Sequence, residues 1–173
     1  MKKLKLAIPF YVTANEDAVA MGKNVHPIYL ENAKNIIFAS LRVENILASG
    51  IGRYFFGENH KQRKLLDELI VSTGSFSFSE KRKTFLTIAS EQNILSGKDR
   101  SEYETLIASI IRYRNMFTHG TAVFNGDSCV LHYFEGKKVE KELTDVFLEK
   151  VESDMEKCFR KSEEIMMKIN INT

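Results

Sequence analysis

Tryptophan is absent from this chain, and proline and cysteine occur twice each. The two cysteines, Cys129 and Cys158, form no C-x-x-C pair, which excludes a disulfide scaffold and a zinc ribbon and fits a reducing, cytoplasmic compartment. Histidine is also scarce. His26, His60, His119 and His132 are scattered, with no H-E-x-x-H, so neither a metal site nor a metal cofactor is expected. No apolar run reaches the length of a membrane span. Met1-Lys2-Lys3-Leu4-Lys5 is superficially like the basic start of a signal peptide, but the apolar stretch Leu6 to Val12 is short and broken by Pro9, which reads against secretion. Charge of one sign is lacking too. A net charge of +2 gives no global basic field, so any nucleic-acid contact must use local patches.

What remains is ordinary for a globular chain: 43% hydrophobic and 28% charged residues over 173 positions, enough for one domain with a single core. Residues 1–25 read as an arm, with a short strand over Leu4 to Ile8. Pro27 then suits the first turn of a helix. Tyr29, Ala33, Ile36, Ser40, Val43 and Leu47 alternate in steps of four and three, the face of a helix ending near Gly50. A second helix is expected over Lys61–Val71. A third runs to about Glu91, capped by Ser77 or Ser79 after a loop over residues 74–78. Ser96 to Asp99 marks a break. Ser101 followed by Glu104 matches a capping box and predicts the start of helix four, which Gly120 ends.

Beyond Gly120 the period changes. Ala122 to Phe124, Asn125-Gly126 and Ser128 to Phe134 predict a hairpin with a tight turn. Glu135-Gly136 and Val139 to Leu143 add a turn and a third strand, so a meander occupies 121–143. Thr144 or Asp145 caps a last helix with the stripe Leu148, Val151, Met155, Cys158, Ser162, Ile165 and Ile169. The expected fold is mainly α: one domain over 1–173, a bundle of four to five helices with a small antiparallel β-meander inserted before the C-terminal helix.

The densest chemistry lies at the end of helix four, in Arg114-Asn115-Met116-Phe117-Thr118-His119 and Gly120. On an ideal helix Arg114 falls near the middle of the stripe formed by Tyr103, Ile107, Ile110, Ile111 and Phe117. A guanidinium there requires a partner or a cleft. Glu44 and Glu68 are the candidate partners. Asn115 and His119 are one turn apart. Arg114 and His119 are about 140° apart, so they converge only where the helix frays or across a subunit interface. In the plainer reading Arg114 is a structural ion-pair partner and His119 a cap that favours the helix dipole.

Arg114-Asn115-x-x-x-His119 at the end of a bundle helix resembles the signature of the HEPN superfamily, and the helical order from about 27 to 170 is similar as well. The meander is an insertion that many relatives lack. The resemblance implies a metal-independent endoribonuclease that needs no cofactor. His119 would act as general acid/base, Arg114 would stabilise negative charge on the phosphate, and Asn115 would orient the site. It also implies a homodimer, an RNA substrate, and a toxin or phage-defence role with an antitoxin or regulatory protein as partner. The alternative is a non-catalytic helical regulator or binding module of the mannitol operon repressor type.

Other features are weaker. Lys61, Arg63 and Lys64, and the run Lys81-Arg82-Lys83, are candidates for an RNA path, although a solvated helix face is the plainer account. Tyr54, Phe55 and Phe56 suit base stacking or core packing. Gly50-Ile51-Gly52 follows a helix rather than a strand, so a dinucleotide fingerprint fails. His132 shares a hairpin face with Val130 and Phe134 and is expected to pack.

Overall fold

Apolar residues at helical spacing, with few breakers between them, yield three long helices. The computed structural model describes residues 3–4, 27–71, 76–125 and 128–170. The arm and the residues between the second and third helices lie largely outside that range, and so do Gly126 and Asp127. Among the described residues the order is α1 (Pro27–Phe56), α2 (His60–Leu66) continued by a π-helical turn (Asp67–Val71), α3 (Phe78–Glu91), α4 (Gly97–His119), strands β1 (Thr121–Asn125), β2 (Ser128–Phe134) and β3 (Lys138–Glu142), and α5 (Asp145–Lys168). The chain is mainly helical, with a small three-stranded antiparallel sheet before the last helix, as expected. No helix of the described residues is long and apolar enough to cross a membrane.

The stripes of α1 and α5 are buried as read from their spacing. Ile36, Ser40, Val43 and Leu47 are fully buried on α1, and Leu148, Val151, Met155, Cys158 and Ser162 on α5. Helix α1 runs six residues past Gly50 because that glycine is a packing position. A Cβ there would collide with the Phe85 ring, so the helix meets α3 closely without ending. Helix α3 starts with a capping box. Ser77 Oγ accepts from the Glu80 amide at 3.3 Å, and the Ser77 amide donates to Glu80 Oε2 at 2.6 Å.

The box expected at Ser101 and Glu104 does not form, because α4 already begins at Gly97. Inside the helix the hydroxyls turn back on their own backbone. Ser101 Oγ donates to the Gly97 carbonyl at 3.3 Å, Thr105 to Ser101 at 2.8 Å and Ser109 to Thr105 at 3.1 Å. The break before α4 lies earlier than the Ser96-to-Asp99 run, where Asn93 takes a φ of 56°. At the other end of the chain Thr144 Oγ1 accepts from the Phe147 amide at 3.2 Å, which makes Thr144 the cap of α5.

In the sheet, Asn125 pairs with Ser128 and so belongs to β1, while the rest of the expected Asn125-Gly126 turn lies outside the described residues. Strand β2 is central. Its Cys129 and Leu131 face the core. His132 and Phe134 therefore point the other way. Phe134 is 76% exposed, and the His132 ring meets Glu140 Oε1 at 3.3 Å. The packing role expected of His132 is overturned by this alternation.

The contacts divide the chain into two compact units, and neither is a contiguous segment. The first unit is Met1–Ala39 with Tyr113–Glu156, and the second is Ser40–Arg112 with Lys157–Thr173. Each of α1, α4 and α5 contributes residues to both. The first core gathers Tyr29, Ile36, Met116, Phe117, Leu131 and Met155; the second gathers Leu47, Phe85, Ile107, Ile110, Ile165 and Ile169.

Candidate functional site

The Arg114-to-Gly120 segment belongs to the first unit, at the joint between a helix and a strand. Helix α4 stays wound through His119, and the Gly120 amide donates to the Met116 carbonyl at 2.8 Å. Strand β1 starts at the next residue. Only glycine fits at this joint, since a Cβ would run into the Met116 carbonyl oxygen. The wound end settles one sequence-based alternative: fraying does not bring Arg114 and His119 together. Within one chain they keep the roughly 140° separation of an ideal helix.

Asn115 and His119 are exposed, and Arg114 is half-buried. Arg114 does not lie at the centre of the buried face here. In this last part of α4 the buried positions are Tyr113, Met116 and Phe117, and Ile111 is only half-buried. Arg114 sits 100° round the helix from Tyr113, on the flank of that face. A flank position keeps the guanidinium partly in water and lowers the desolvation cost that a central position would carry.

The buried face next to this flank is held by Phe117 and Tyr29 of the expected stripes and by Tyr113, Asp154, Lys150 and Phe147, which the spacing analysis did not single out. Tyr113 donates to Asp154 Oδ2 at 2.8 Å, and the Lys150 ammonium reaches the same oxygen at 2.7 Å. The Tyr113 ring meets Phe147 edge-on with centroids 5.9 Å apart, and the Lys141 ammonium lies 4.6 Å from the Phe147 centroid. Phe117 stacks on Tyr29 at 6.0 Å. Burial, and secondarily Cys129, pushes the Tyr29 hydroxyl up to about 12. Burial also raises the Cys129 thiol, so it is a packing group rather than a nucleophile. The polar Asp154 beside Val151 and Met155 on α5 was the available signal for this network.

The other candidates lie in the second unit. Lys81 is 6% exposed and its ammonium meets Glu44 Oε1 at 2.6 Å. Lys81 thus leaves both the RNA path and the solvated face proposed for its run and is held in a buried ion pair. Glu68, the second candidate partner of Arg114, is exposed and sits 3.6 Å from Lys64. Arg82 and Lys83 keep contact with solvent and line a cavity of about 470 Å³ with Arg100, Glu80 and Glu104. Lys83 also borders a cavity of about 520 Å³ walled by Tyr54, Phe55 and Phe76. Two features read separately from the sequence, Lys83 and the Tyr54–Phe55 aromatics, are therefore neighbours. Arg63 and Lys64 line a further cavity of about 410 Å³ together with His60, while Lys61 is exposed and lies outside its lining.

No protein-family model, no curated protein and no solved structure matches the chain.

Proposed function

We propose that the protein is a metal-independent endoribonuclease that works in the cytoplasm as a homodimer, with His119 and Arg114 as its catalytic residues. The observation that carries this reading is the end of α4, where Arg114, Asn115 and an exposed His119 are held on a wound helix locked at Gly120. These side chains supply what RNA transesterification needs. A histidine accepts the proton of the 2′-hydroxyl as that oxygen attacks phosphorus, and a protonated histidine gives one to the 5′-oxygen as its bond to phosphorus breaks. The products are a cyclic phosphate and a free 5′-hydroxyl. Arg114 offers a planar fork to the phosphate oxygens, where negative charge grows. Asn115, one turn from His119, orients the phosphate or the ring. The roughly 140° between Arg114 and His119 supports a dimer, because the arginine of one copy then meets the histidine of the other. Arg82, Lys83, Arg63 and Lys64 are the cations left to contact the RNA backbone.

One observation favours the alternative, a non-catalytic regulator or binding module. Arg114 is half-buried, next in the chain to Tyr113, which is tied to Asp154, a setting that also suits a structural arginine. Incubation of wild type, Arg114→Ala and His119→Ala with mixed RNA in EDTA separates the two. The nuclease leaves cyclic-phosphate ends, and both variants lose most cleavage while remaining folded. If wild type leaves RNA intact and Arg114→Ala only lowers the melting temperature, the regulator reading stands.

A further inference from the structure

The second unit contains a cavity whose lining is chemically biased. Its volume is about 410 Å³, and its floor is made by small residues of α1, including Ser49 and Gly52. His60, Arg63 and Lys64 border it from α2. The spacing explains why all three face the same space, since positions i, i+3 and i+4 share one side of a helix. Arg63 lies directly over the glycine: a Cβ at Gly52 would stand 3.8 Å from Arg63 Nε. Apolar burial does not hold these residues in place, because α2 buries none of its side chains.

We propose that this cavity binds a phosphoryl anion, clamped by His60, Arg63 and Lys64 over Ser49 and Gly52. Three groups able to carry positive charge border one small space, so an anion placed there meets all three. The carboxylates nearby compensate them weakly. Glu58 is 3.9 Å from Arg63, Glu68 is 3.6 Å from Lys64, and both acids are largely exposed. Asp67 also lines the cavity and opposes an anion at that edge. A phosphate outweighs these contacts because it carries up to two charges and its oxygens match the guanidinium fork. The Ser49 hydroxyl can donate a further bond, and the missing side chain at Gly52 leaves room for close approach. The same chemistry is present in inorganic phosphate, in a free nucleotide and in a nucleic-acid backbone. Arg63 and Lys64 are also among the cations proposed above to contact an RNA backbone, but phosphate binding here is read directly, so its failure leaves the Arg114–His119 reading to the cleavage assay.

The test is a titration of the full chain, followed by amide NMR, with inorganic phosphate, with AMP and with a short single-stranded RNA, each against chloride at equal ionic strength. Saturable shifts are expected at His60, Arg63, Lys64 and Gly52. Arg63→Gln/Lys64→Gln should weaken phosphate binding about tenfold or more, because two charge-assisted contacts go. His60→Gln should weaken it less, and Lys61→Gln should leave it unchanged. Of the substituted α2 residues only Arg63 is partly covered and none is buried, so the variants should melt close to wild type, and a melt confirms that they are folded. Tighter binding of AMP than of phosphate assigns the site to free nucleotides; tighter binding of RNA per phosphate assigns it to a backbone. Absence of saturation with all three probes, or an equal loss in Lys61→Gln, overturns the proposal.

Discussion

Removing the charge from one end of the Lys81–Glu44 pair should cost more than removing it from both. Both side chains are nearly buried, so Lys81→Met takes a close ion-pair partner from a buried carboxylate. We expect a loss of about 3 kcal/mol in urea unfolding, with Lys81→Met/Glu44→Gln recovering part of it. His119→Ala should do the opposite. The ring is exposed, so stability should stay within about 0.5 kcal/mol of wild type even if cleavage disappears. Tyr103 is a third case. Ser162 Oγ donates to the Cys158 carbonyl at 2.6 Å, so Tyr103 is the donor in its 2.7 Å bond to Ser162. Burial raises the Tyr103 hydroxyl well above the ordinary tyrosine range, and Cys158 adds to the shift. The unfolded chain then loses this proton first. The stabilisation is complete below about pH 10 and declines as pH rises further. Melting temperature should therefore fall on the alkaline side, and less steeply in Tyr103→Phe, which itself should cost about 1 kcal/mol at neutral pH. A denaturation midpoint independent of pH from 9 to 11 would refute this account.

At the scale of elements, two junctions decide how helices begin and end. Ser77→Ala should cost about 1 kcal/mol by chemical denaturation, because it removes the cap of α3. The Ser77 backbone amide, and then its hydroxyl, hold the Glu80 carboxyl below the usual carboxylate range. That contribution is present above the ordinary carboxylate pKa and is lost as pH falls through the lowered one, so the gap between variant and wild type should narrow in acid. At the other junction, Gly120→Ala should destabilise the first unit by roughly 2 kcal/mol and disturb β1, since the methyl group meets the Met116 carbonyl. Equal melting temperatures for Gly120→Ala and wild type would count against the close approach. Both Ser77-Glu80 and Ser101-Glu104 match a capping box in sequence, yet only the first forms. Local spacing cannot tell them apart, because a serine inside a helix can satisfy its hydroxyl on the preceding turn, as Ser101 does on Gly97.

For the whole molecule, the proposed dimer makes a prediction that one chain cannot. If each site combines Arg114 of one copy with His119 of the other, mixing Arg114→Ala and His119→Ala chains should restore activity. Half the dimers would be mixed and each would hold one intact site, giving about a quarter of the wild-type rate. No recovery on mixing, or only monomer by light scattering at micromolar concentration, would remove the composite site.

The apolar periods determined the helical class, the buried faces of α1 and α5 and the meander, because burial of a repeating face depends on spacing alone. The Arg114-to-Gly120 cluster was legible for the same reason, as was the glycine that ends α4. Tertiary structure decided what spacing leaves open. It buried Lys81 on Glu44, turned His132 to solvent, moved Arg114 from the middle of a stripe to its flank, and set His60, Arg63 and Lys64 against Ser49 and Gly52. Each outcome depends on which neighbour a side chain meets across space, and a charge keeps one local pattern whether that neighbour is water, a carboxylate or another cation.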